Sequence, residues 1–249
     1  MTLFLLKMLN EILLLSKNDI PFIEAQVILH QPTLREIAFI GEENFYLGCE
    51  LLTFSKDSLK EQDKIGLENR NDFDILMSVV GQNQMSQACL LSILTLIFPT
   101  YRIQMGGGVI VLMDDNGVQY IRAEHFDTLK QMISEMFCLN RKNVAEGDYN
   151  PGNEAARKMA ERFKKAREKK AKMRGEDTGK INILSRYVSI LSTGLGIDLN
   201  TLMDYTVYQL FDAFERFELK MSFDYYVQAK MAGAKDLEEV DNWMKDIHQ

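Results

Sequence analysis

Apolar residues along this chain recur mostly at steps of three and four, as in helices that bury one face. Strand-like runs interrupt that pattern in two places. Residues 20–30 (IPFIEAQVILH) read as extended chain rich in β-branched residues, broken at Pro32. Thr33 with Glu36 three positions on has the spacing of a capping box. It predicts a short helix over 34–40, with Gly41 as its C′ residue. Further helices are predicted over 45–54, 72–80 and 86–98, and residues 55–71 read as a polar loop with one helical turn. The helix over 86–98 leaves little polar face and belongs in a core; Pro99 stops it. Three short strands follow, over 101–105, 109–113 and 118–121, separated by Gly106-Gly107-Gly108 and by Asp114-Asp115-Asn116-Gly117. Asn-Gly favours a tight hairpin turn because both residues tolerate positive φ. A helix over 124–137 closes this block.

Turn residues over 148–153 (DYNPGN) lead into a charged helical stretch, which Gly175 and Gly179 break. Beyond it every segment has helical spacing: 182–195, 201–218, 222–231 and 237–247. Asp198 and Asn200 are placed to cap the second of these, and Gly194, Gly196 and Gly233 punctuate the ends. The fold class is α+β and mostly helical. Residues 1–146 read as an α+β domain with a small antiparallel β-meander, 147–179 as a basic amphipathic linker helix, and 180–249 as an all-α domain.

Charge sharpens that division. Residues 154–174 hold ten Lys or Arg against three Glu, a net +7, while the whole chain carries −7 and the rest therefore −14. An acidic body argues against wholesale nucleic-acid binding. Within the segment, apolar Ala156, Met159, Ala160, Phe163, Ala166 and Met173 form a thin stripe, and Phe163 is its one aromatic residue. Stacking on bases needs more aromatic residues than that. Arg157, Lys158, Arg162, Lys164, Lys165, Lys169 and Lys170 are its candidate contacts, with an acidic protein surface or, less favoured, nucleic acid. The N-terminal run 1–15 lacks a basic lead and a small-residue cleavage site, and Lys7, Asn10 and Glu11 interrupt it. It reads as a packed helix or strand rather than a signal or a membrane span. A cytoplasmic protein without a membrane segment is the expectation.

Candidate chemistry is sparse. Cys49, Cys89 and Cys138 are far apart and form no CxxC pair, so neither a disulfide framework nor a zinc site is indicated. His30, His125 and His248 have no second ligand at metal spacing. His125 beside Glu124 and Asp127 reads as helix-start capping. Gly106-Gly107-Gly108 leads into a strand, with no Lys-Ser or Lys-Thr after it, so it is a hairpin rather than a phosphate cradle. Asp114, Asp115 and Asn116 lack the closing Glu of a calcium loop. The expectation is no catalytic, cofactor-binding or metal site, and no enzyme. What remains is an aromatic cluster in the C-terminal block: Tyr208, Phe211, Phe214, Phe217, Tyr225 and Tyr226, with Trp243 in the tail. Core packing between two helices explains such a cluster. A groove for an apolar partner helix is the functional alternative.

The same block carries a resemblance. Residues 202–217 (LMDYTVYQLFDAFERF), 224–235 (DYYVQAKMAGAK) and 241–247 (DNWMKDI) are similar to the ending of bacteriophage tail assembly chaperones. Residues 30–45 (HQPTLREIAFIGEENF) and 149–157 (YNPGNEAAR) resemble other segments of tail or baseplate assembly proteins. The resemblance implies a non-enzymatic factor in the host cytoplasm. Such a factor coats the helical tape-measure protein, brings tail-tube subunits to it, and leaves the finished particle. A structural tail or baseplate protein is one alternative, and a nucleic-acid-binding accessory protein acting through 154–174 is another. Self-association is a further contact the sequence leaves open.

Overall fold

The computed structural model describes residues 9–58, 67, 69–140, 182–234, 237 and 239–247. The chain is mixed α+β and mostly helical, with two small antiparallel sheets among those residues. Residues Met1–Asn140 and Leu184–Gln249 group as one compact unit, and Arg141–Ile183 as a second. The linker helix expected over 147–179, with all its basic residues, lies outside the described residues.

Asn10 caps α1 (Glu11–Leu15), its side chain accepting from the Ile12 N–H. The extended segment that follows is a hairpin rather than one strand: β1 (Ile20–Phe22) pairs antiparallel with β2 (Val27–Leu29). No Gly or Asn marks its turn, where Gln26 takes φ +56°, so the reversal leaves no sequence signal of the usual kind. The capping box forms as spaced. The Thr33 N–H and Oγ1 both donate to the Glu36 carboxylate at 2.7 Å, opening α2 (Leu34–Ile40). Burial opposes the charge on Glu36, but these bonds and His30 outweigh it and hold the carboxyl below its usual range.

Gly41, at φ +83°, turns the chain into α3 (Glu42–Leu52). A 3-10 turn, Lys56–Ser58, leads toward α4 (Asp72–Gln82) and α5 (Gln84–Ile97). Helices α3 and α5 cross at Gly48, where a Cβ would lie 2.6 Å from Ile93 Cβ. The meander is β3 (Arg102–Gly106), β4 (Val109–Asp114) and β5 (Gly117–Ile121), in the order β3-β4-β5. Gly107 and Gly108 both have positive φ and make its first turn. The second turn centres on Asp115 and Asn116 rather than Asn116-Gly117, because Asp114 pairs with Gly117. The Asp114 carboxylate accepts from the Asn116 and Gly117 N–H groups. Helix α6 (Ala123–Met136) packs against β5, and α5 against β3. Lys130 on α6 reaches Asp72 at the start of α4, 2.7 Å away. Burial opposes both charges, yet the pairing wins: Asp72 is held below the usual carboxyl range and Lys130 above the usual amine range.

The C-terminal part contains α7 (Ile183–Leu195), α8 (Leu199–Met203), capped by Asp198, and α9 (Val207–Met231). Helix α9 is one 25-residue helix where two were expected. It starts at Thr206, whose hydroxyl accepts from the Gln209 N–H while Gln209 Oε1 accepts from the Thr206 N–H. Ser222, read as the head of a separate helix, continues it, since no Gly or Pro breaks the ladder there. The helix expected over 237–247 does not form: its described residues are turns and irregular chain.

Polar bonds join this part to the N-terminal elements. Thr33 and Thr206, the two capping residues, form an antiparallel bridge, and the Leu34 N–H donates to the Tyr205 carbonyl at 2.9 Å. Arg35 Nε bonds Asp204 Oδ1 at 2.9 Å, and Gln209 Nε2 bonds the Leu15 carbonyl at 2.7 Å. Glu42 accepts from the Leu184 N–H at 2.8 Å, capping the start of α7. Residues from both sides of the basic segment thus build one core, from Phe22 and Phe45 through Ile93 and Leu129 to Tyr187 and Phe214.

Candidate partner-binding face

Helix α9 begins as core and ends as surface. Val207, Phe211, Phe214, Glu218, Met221 and Tyr225 follow each other at alternating steps of four and three, so they lie along one seam of the helix. The first three are buried, and Tyr225 is 62% exposed. From Glu215 to the end of the helix none of its residues is buried.

The predicted aromatic cluster divides accordingly. Tyr208, Phe211 and Phe214 are buried to 5% exposure or less. The Tyr187 ring stacks on Phe214, with centroids 3.7 Å apart and planes 5° from parallel, and meets Phe211 edge-on at 5.2 Å. These three residues are therefore packing residues with no face to offer a partner. Phe217 is half-buried against Gly194, where a Cβ would come within 2.5 Å of the ring. Tyr226 is half-buried with the Lys230 ammonium 4.7 Å from its ring centre. Tyr225 and Trp243 are exposed.

Four exposed apolar residues in this region escaped sequence reasoning: Val227, Met231, Val240 and Met244. For Val227 and Met231 the signal was present, as apolar residues near the end of a helix that has left its core. Arg216 was also missed. It reaches from α9 to the tail, its Nη1 donating to the Trp243 carbonyl at 3.2 Å and to the Lys245 carbonyl. Arg216 thus ties the tail to the helix.

Glu218 marks the boundary between the buried and open halves. Its Oε2 is occluded and has no hydrogen-bond partner. Burial pushes its carboxyl above the usual range, Glu215 adds to that, and Arg186 pulls against it.

The other candidate residues serve the fold. His30 bridges Asp19 (2.9 Å) and Glu36 (3.2 Å). His125 Nδ1 lies 3.1 Å from the Tyr120 carbonyl, and its ring meets Phe22 edge-on. Cys49, Cys89 and Cys138 are buried, and burial pushes the Cys49 thiol up. Among the described residues no group of three or more His, Cys, Asp or Glu is placed to hold a metal, and no helix is long and apolar enough to cross a membrane. His248 and the basic residues Arg157, Lys158, Arg162, Lys164, Lys165, Lys169 and Lys170 lie outside the described residues.

The open end of α9 and its tail fall inside a region with known likeness. Residues 174–248 match the model of the YomV second domain, a phage-associated protein family. The likeness to that phage-associated family is confined to this last third of the chain. No curated protein and no solved structure matches the chain.

Proposed function

We propose that this chain is a non-enzymatic phage tail assembly chaperone that holds an amphipathic helix of the tape-measure protein, the tail-tube protein or both in the host cytoplasm. The observation that carries the reading is the open half of α9. The seam that starts as core runs out at Tyr225, and on the other side of the same open half Val227 and Met231, four residues apart, are exposed too, within the segment that matches a phage-associated family. A tape-measure helix exposes an apolar stripe of the same spacing, and helix-on-helix packing covers both.

The contact suits a temporary partner. Fully burying a side chain of this size contributes roughly 1.5–3 kcal/mol, and these three are already partly covered. The sum is comparable to the cost of association, about 4 kcal/mol or more, so binding is reversible. Flexible methionines adapt to seams of different sequence.

Co-expression with the long helical protein encoded in the same tail gene cluster tests the reading. The client should stay soluble and co-purify with the wild-type chain. It should be lost when Tyr225, Val227 and Met231 are together replaced by Ser. A client equally soluble and unretained with either form overturns the proposal. Recovery of the chain in stoichiometric amount from purified virions overturns it in favour of a structural tail protein.

A further inference from the structure

The meander breaks the usual rule for a three-stranded antiparallel sheet, in which one face is packed and the other polar. Cross-strand register sorts its side chains into two faces. One holds the buried Ile110, Leu112 and Ile121, turned toward the core. On the other, Val111 stands between Gln104 and Tyr120, and Met113 stands between Arg102 and Val118. Val109 completes that face on β4. The central strand is thus apolar on both sides, the pattern of a strand covered twice. Yet Val109, Val111 and Met113 are only half-buried, and Val118 and Tyr120 are exposed at 45% and 40%.

We infer that the outer face of the meander is a homodimer interface, closed by the same face of a second copy about a two-fold axis parallel to β4. Charge selects this partner and this axis. Rotation about β4 lays β3 of each copy over β5 of the other at the same height. Arg102, exposed at the start of β3, then faces the turn before β5, where Asp115 is exposed. The same pairing occurs twice across the axis. An axis perpendicular to the strands would instead bring Arg102 to the opposite end of the sheet, away from both acidic turns. At the other end, Arg122 lies over the Tyr120 ring at 5.0 Å and widens the covering over the apolar row.

Strand spacing and rise give the face about 14 by 18 Å. That is less than the roughly 800 Å² per partner of a standard stable interface. The dimer is therefore weak and concentration-dependent. It uses elements remote in sequence from α9 and does not rest on the client reading.

Sedimentation equilibrium of the full chain through the micromolar range tests the inference. A monomer–dimer equilibrium that weakens with added salt is expected. Val111→Lys should leave a monomer with unchanged far-UV circular dichroism. Arg102→Asp and Asp115→Arg should each weaken the dimer by about tenfold or more, and the double variant should recover most of the loss. These two sites are exposed, so the charge reversal decides the matter even if Val111→Lys fails to fold. A chain that stays monomeric overturns the inference. So does a dimer indifferent to both charge reversals, or one abolished by Tyr225→Glu instead.

Discussion

The two halves of α9 have nearly the same composition and opposite fates. The first half carries Val207, Tyr208, Leu210, Phe211 and Phe214, all buried; the second carries Leu219, Met221, Phe223, Tyr225 and Val227, none buried. Their apolar spacing does not separate them. What separates them is the neighbour: Tyr187 on α7 stacks against the first half, and α7 ends at Leu195. The same side chains are buried where another helix lies alongside and open where it stops.

Mutations should separate the halves in graded steps. Phe214→Ala deletes a ring sandwiched in the core and should cost about 3–5 kcal/mol in urea unfolding. A cost near zero would place Phe214 on the surface and erase the contrast. Thr206→Ala removes the cap from which the buried half starts and should cost about 1 kcal/mol, with fraying confined to the first turn by hydrogen exchange. At the boundary, Glu218→Gln should stabilise the fold at neutral pH. The folded carboxyl sits above its usual range, so charging it penalises the folded state once pH rises past that raised value. Asp72 and Glu36 act with the opposite sign. Their carboxyls are held low, so their contribution is present above the usual carboxyl range and is lost as pH falls through the lowered values. Asp72→Asn should therefore flatten the acid limb of the stability curve, whereas Glu218→Gln should flatten the limb just above it. The smallest effect is Tyr225→Ala, expected within about 0.5 kcal/mol, while the same change weakens client retention. A large stability loss there would mean the second half is core after all.

Local chemistry made much of the fold legible before any contact was known. Thr33 with Glu36, the Gly107-Gly108 turn and the apolar run ending at Pro99 each announce an element through its own residues. The errors share a cause. The turn at Gln26 uses residues with no turn preference, so the hairpin read as one strand. Helical spacing alone started a new helix at Ser222 although nothing in the chain interrupts the α9 ladder, whereas the true start at Thr206 has its Gln209 partner in capping-box spacing. The tail over 237–247 has helical periodicity, but Arg216 engages its carbonyls from outside. As for the candidate site, three of the residues the sequence offered on this helix, Tyr208, Phe211 and Phe214, are buried in the core. Burial depends on which helix lies alongside, and spacing within one helix does not encode where its neighbour ends.

The bridge between the two capping threonines also sets a timetable. Arg35 must wait for Asp204, 169 residues later, and at about 5–20 residues per second that is a delay of roughly 8–35 s. Until then the nascent chain has its N-terminal segments but lacks Phe211 and Phe214 to close them. The docking of α9 is thus a late step in synthesis, and a chain truncated before residue 204 would leave the ribosome with its core open.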